Sequence, residues 1–230
     1  MATSLVGYIA GLKEQIVGEA AAAVGMLETA VEALFQLDAE RAAWVMKRDD
    51  EVDREEVRIE EECFRLLALF QPVARDFRTI ATLLRVNADL ERVGDHATSI
   101  AKQTLKLREL GAVRWPISLQ ELGQRVPIQC HQLLRALAEE SVDAARSVMM
   151  RDRAIDSLDR RLFEESVDVM SESRQSKCAG LRVYRCGREL ERVGDLMTSI
   201  AEDVIYLASG AIVRHDEKKR LKQQAIEQRM

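Results

Sequence analysis

Aromatic residues make up only 4% of this 230-residue chain, which holds just 3 prolines and 11 glycines. So few turn and strand formers, beside abundant Ala, Leu, Glu and Arg, argue against sheet architectures and for helices. The 4 cysteines, Cys63, Cys130, Cys178 and Cys186, form no C-x-x-C pair and no short disulfide framework. That pattern reads as reduced core thiols of a cytosolic protein. Net charge is −5 with both signs interspersed, and the basic face that a nucleic-acid partner would need is missing. No apolar run approaches the ~20 residues that cross a bilayer. The N-terminus has no basic segment followed by an apolar one, so no signal peptide is expected. A cytoplasmic protein follows, one that reaches a membrane only by docking on a partner. Nor is there a P-loop, a G-x-S-x-G turn or a metal-ligating histidine pair, so no enzyme is expected.

What the chain does have is a duplication. Leu90–Ala101 reads L-E-R-V-G-D-H-A-T-S-I-A, and Leu190–Ala201 reads L-E-R-V-G-D-L-M-T-S-I-A. Two copies of one unit, each about half the chain, are implied. In the first unit, apolar residues step by three or four from Leu5 to Leu34, giving a helix over about 4–36. Asp38 then caps a second helix that runs to about Leu69, and Gln71-Pro72 ends it. A third helix covers about 74–110, and Gly111 stops it. The second unit repeats the plan at about 118–140, 143–171 and 176–209, with Pro127 either kinking its first helix or starting it. The predicted fold is all-α: two tandem antiparallel three-helix bundles, 1–112 and 113–210, with a charged tail over 211–230.

Each third helix carries Glu-x-x-x-Asp, as Glu91 with Asp95 and as Glu191 with Asp195. Each second helix carries Asp-x-x-x-Asp, as Asp49 with Asp53 and as Asp152 with Asp156. Residues four apart share a helix face. Antiparallel neighbours stand level when they are equidistant from their turn. Asp53 with Glu91, and Asp49 with Asp95, both centre on Pro72; Asp156 with Glu191, and Asp152 with Asp195, both centre on the 171–176 turn. The second hairpin is three residues shorter, yet the levelling survives. Four level carboxylates repel by on the order of 1 to 4 kcal/mol per pair at 4 Å unless a cation sits among them. All-oxygen ligands suit Mg, Ca, Mn, Fe or Zn. The acids fall on the flank of the apolar seam, so a site would lie in a surface groove. The competing reading is a solvated face neutralised by Arg92, Arg192, Arg54 and Lys47. His96 points about 100° away from Asp95 and reads as a surface histidine. Gly94 and Gly194, costly inside a helix, fit a close approach of a neighbouring helix or of metal ligands.

The duplicated E-R-V-G-D, the Gln71-Pro72-x-Ala74-x-Asp76-Phe77-Arg78 turn and the preceding acid pairs resemble the PhoU family of phosphate-uptake regulators over nearly the whole chain. The resemblance implies two three-helix bundles related by an internal pseudo-two-fold, often assembled as a homodimer. It implies multinuclear iron or zinc clusters, one on Asp49, Asp53, Glu91 and Asp95 and one on Asp152, Asp156, Glu191 and Asp195; manganese, magnesium and calcium stay open. It also implies a non-enzymatic negative regulator linking the ATPase subunit of the phosphate ABC transporter to the sensor histidine kinase of the phosphate regulon. The second turn departs from the family pattern, with Ser173-Arg174 where Gln71-Pro72 stands in the first. A metal-free helical scaffold and a carboxylate-bridged di-metal enzyme are the alternatives; the enzyme would add Glu-x-x-His motifs, which the chain lacks.

Overall fold

A computed structural model describes residues 4–111, 113–170 and 174–213. Most of the expected tail and the heart of the second bundle's last turn lie outside the described residues. Six helices follow one another, and no strand occurs among the described residues: α1 (Leu5–Gln36), α2 (Ala39–Phe70), α3 (Ala74–Leu110), α4 (Ile117–Glu139), α5 (Val142–Val169) and α6 (Arg174–Ser209). Ser4 caps α1, Asp38 caps α2 through the Glu40 and Arg41 amides, and Ser141 caps α5. Gly111, at φ 85°, closes α3 in a conformation that glycine adopts without steric cost. Pro127 lies inside α4, which begins well before it at Ile117.

Helices α1, α2 and α3 pack mutually, and so do α4, α5 and α6. The bundles meet along α3 against α6 and α1 against α4. One apolar core runs unbroken through both, from Ile9 and Leu12 to Val204 and Ile205. The α3–α6 seam is antiparallel and carries polar links between the copies. Arg85 forks onto Asp203, with Nη2 2.7 Å from Oδ1; Ser199 donates to Asp89 at 2.9 Å; Arg182 donates to Gln103 at 3.0 Å. His96 belongs to this seam, not to the open surface: its Nδ1 lies 2.7 Å from Glu189 Oε2, and its side chain is only 15% exposed. Rotation of about 100° from Asp95 does carry it away from the acids, but toward α6 rather than solvent. Burial pushes the Glu189 carboxyl up, yet the His96 hydrogen bond and charge, with Arg192 and Ser99, outweigh it and hold Glu189 below the usual carboxylate range.

Three of the cysteines, Cys63, Cys130 and Cys186, are core thiols, and burial pushes Cys63 up to about 12. Cys178 departs from that expectation: it is exposed, on the outer face of the first turns of α6.

Candidate functional site

The two glycines of the twin motif show how each second helix approaches each third. A Cβ built on Gly94 would stand 3.6 Å from Val52 Cγ1, 3.8 Å from Asp49 Oδ1 and 3.9 Å from Met26 Cε. On Gly194 it would stand 3.1 and 3.2 Å from two carbons of Ile155 and 3.8 Å from Gln129 Oε1. Only Gly194 is needed for its neighbouring helix to come this close; at Gly94 a Cβ would make ordinary contacts. The two contacts differ in tightness. Gly94→Ala fits the space and gains about 1 kcal/mol of helix propensity. Gly194→Ala must push Ile155 aside by a few tenths of an ångström, and overpacking of about 1–3 kcal/mol offsets or outweighs that gain. Denaturant unfolding of the chelated protein should therefore show Gly94→Ala neutral to stabilising and Gly194→Ala destabilised by about 1 kcal/mol.

In the second bundle Asp152 and Asp156 of α5 and Asp195 of α6 each bring one oxygen within 4.8 Å of the others. Glu191 lies beside them, its pKa raised by burial; Arg188 lowers it in part, while Asp195, Asp159 and Asp156 add to the rise. One of its oxygens is 3.2 Å from Arg188, and the other, Oε2, is buried without a hydrogen-bond partner. Arg188 also reaches Asp159 at 2.8 Å.

In the first bundle Asp49, Asp53 and Glu91 all titrate above the usual carboxylate range. Burial is the first cause for each, and Asp95 adds to the rise in all three. Asp49 Oδ1 is buried and lacks a hydrogen-bond partner. Nearby Thr98 and Lys102 offset part of its shift. Among the described residues these four acids do not close to the 4.8 Å spacing of the second bundle's three.

The arginines of the twin motif pair with acids outside the set. Arg92 pairs with Asp89 at 3.0 Å, and Arg192 turns to Glu189 at 3.7 Å. Both arginines line a groove of about 700 Å³ with Asp95, Asp152, Asp156 and Asp195, so acids of both bundles open onto one cleft. The donor set is all oxygen, and two of its members leave a buried oxygen unsatisfied. That arrangement fits a hard or borderline cation better than solvent-paired surface charges.

Two groups were missed by sequence reasoning. Arg188 stands three residues before Glu191, a same-face spacing that could have revealed it. Glu19 of α1 is 3% exposed, with both oxygens buried and without a hydrogen-bond partner. Burial and the nearby charges of Glu56, Glu55 and Glu91 push it up to about 8. Its signal was a carboxylate set beside Ile16 and Ala20 on the apolar ladder of α1.

A family model described as PhoU domain matches residues 17–104 and again 119–204. A phosphate-specific transport system accessory protein PhoU homolog from Deinococcus radiodurans is 35% identical over 186 residues, 81% of this chain and 87% of that protein. A protein of the same description from Pseudomonas aeruginosa is 36% identical over 196 residues, 85% of this chain and 81% of its own length. The crystal structure of PhoU from Pseudomonas aeruginosa superposes with a TM-score of 0.87 at 31% identity, covering 90% of this chain and 100% of that one. The phosphate transport system regulatory protein PhoU from Streptococcus pneumoniae gives 0.83 at 28% identity, covering 91% and 99%.

Proposed function

The chain belongs to the PhoU family, and from that membership we propose that it is a metal-binding, non-catalytic accessory protein of phosphate-specific transport. In this reading it is a cytoplasmic negative regulator that links the ATPase subunit of the phosphate ABC transporter to a sensor histidine kinase, and it works as a homodimer. The accessory role rests on what its relatives are named for. Among the described residues no helix is long and apolar enough to cross a membrane, so contact with the transporter runs through protein surfaces.

The observation that carries the metal reading is the convergence of Asp152, Asp156 and Asp195 from two helices within 4.8 Å. Three carboxylates hold that spacing at low cost only around positive charge. Asp152, Asp156, Glu191 and Asp195 would hold one cluster, and Asp49, Asp53, Glu91 and Asp95 the other, with iron or zinc as the ions. Bound metal would supply fixed positive charge, and the acids' part is to bring α2 against α3 and α5 against α6 around it.

Elemental analysis of protein purified without chelator or metal-affinity tag tests this, beside the variant Asp95→Ala/Asp195→Ala. Several metal equivalents are expected in the parent, with at least half of them lost in the variant and helical circular dichroism retained. The same preparations should retain the purified transporter ATPase subunit and sensor kinase. Absence of metal from both proteins would remove the clusters from the reading, and failure to retain either partner would remove the adaptor role.

A further inference from the structure

The two copies solve one electrostatic problem differently, one to two helical turns from the twin acids. The contacts of Gly94 and Gly194 pair Val52 with Ile155 and Met26 with Gln129. With that register, Glu19 of α1 corresponds to Leu122, Glu56 of α2 to Asp159, and Ala88 of α3 to Arg188. Glu19 and Glu56 are also equidistant from the α1–α2 turn at Leu37–Asp38, so they stand level on neighbouring helices. In the second bundle this level is balanced: Arg188 meets Asp159 at 2.8 Å and Glu191 at 3.2 Å, and Leu122 fills the core. In the first bundle the level holds two acids, alanine replaces the base, and one acid is sunk into the core.

We propose that the first bundle binds a divalent cation between Glu19, Glu56 and Glu91, in the place that the Arg188 guanidinium takes in the second. The site is separate from the paired Asp-x-x-x-Asp and Glu-x-x-x-Asp acids and depends on their metal only through Glu91, which the two sites share. Glu19 points to a ligand because both of its oxygens are buried and unpartnered while Glu55, Glu56 and Glu91 crowd it with like charge. A buried carboxylate needs a counter-charge or hydrogen bonds, and none is provided by the protein at this position. Three glutamates, one from each helix of a bundle, make an all-oxygen set suited to a hard ion such as Mg²⁺, Mn²⁺ or Ca²⁺. The three do not all lie within the 4.8 Å spacing of the second bundle's aspartates. Their long side chains allow closure.

The second bundle supplies the control. Glu19→Leu copies Leu122, and Glu19→Leu/Ala88→Arg copies the whole arrangement into the first bundle. Metal-stripped full-length protein is titrated with Mn²⁺, with free ion read by electron paramagnetic resonance. Glu19→Leu, Glu19→Leu/Ala88→Arg and the more exposed Glu56→Gln should each bind one Mn²⁺ equivalent fewer than the parent, with helical circular dichroism unchanged. Asp95→Ala/Asp195→Ala should keep that equivalent while losing those of the twin acids. Equal Mn²⁺ binding by the parent, Glu19→Leu and Glu56→Gln overturns the site, whatever happens at the twin acids. Loss confined to the Glu19 and Glu56 variants would uphold it and tell instead against the clusters proposed above.

Discussion

Chelated protein is expected to lose about 3–5 kcal/mol of stability between pH 5 and pH 9, and Glu19→Leu is expected to remove most of that loss. Glu19 has an ordinary pKa of 4.5 and stands near 8 in the fold. Below about 4.5 both the folded and unfolded chains carry its proton, and the group costs the fold little. Between 4.5 and 8 the folded chain keeps a proton that the unfolded chain has released, so stability falls as pH rises. Above 8 both are ionised, and the fold bears a buried anion. Each pKa unit is worth about 1.4 kcal/mol, which sets the size of the effect. The groups facing Glu19 from α2 are Glu55 and Glu56, and from α3 Glu91; Arg48 and Glu51 line the groove beyond it. Asp49, Asp53, Glu56 and Glu91 are raised too and add slope of the same sign, so the difference between parent and Glu19→Leu isolates Glu19. Urea unfolding in chelator at pH 5, 7 and 9 measures it. A parallel slope in the variant would show that Glu19 titrates normally.

The fold was legible because its signals are local. Asp38 and Gly111 mark helix ends by their own hydrogen bonds and backbone angles, and the twin motif declares the repeat by itself. The level of Asp152, Asp156 and Asp195 was legible as well, since distance from a turn translates directly into height on antiparallel helices. Rotation about the helix axis was the weak point. Height does not say which of two adjacent charges faces the site. So Arg92 and Arg192, next to the acids in sequence, aim at Asp89 and Glu189, while Arg188 aims at Glu191 and Asp159. His96 fell to the same uncertainty: the rotation from Asp95 was right, but what it faces is the other bundle. Glu19 depends on how α1 seats against both α2 and α3, a three-body fact that no spacing within one helix encodes. The continuity of the core was hidden for a related reason. The α1–α4 and α3–α6 contacts join faces that each read as complete inside their own bundle.

Arg85→Ala is expected to destabilise the protein by about 3 kcal/mol, and Asp203→Ala by about 1, although both remove the same ion pair. The asymmetry follows from burial. Asp203 is 1% exposed, so loss of the Arg85 guanidinium withdraws charge compensation from a buried carboxylate. Arg85 is 40% exposed and stacks near the Tyr206 ring, so water and the ring support it once the acid is gone. Replacing both by leucine should recover much of the loss, since apolar pairs substitute well for buried ion pairs. Chemical denaturation of the parent and the three variants reads these differences. Metal content provides the complementary measure. Arg85 touches none of the twin acids, yet α3 and α6 carry half of them and bring Asp95 and Asp195 to one cleft. If each bundle assembles its site from its own two helices, Arg85→Ala keeps its full metal complement while stability falls. Metal lost along with the pair would mean that the seam itself holds the two sites in shape.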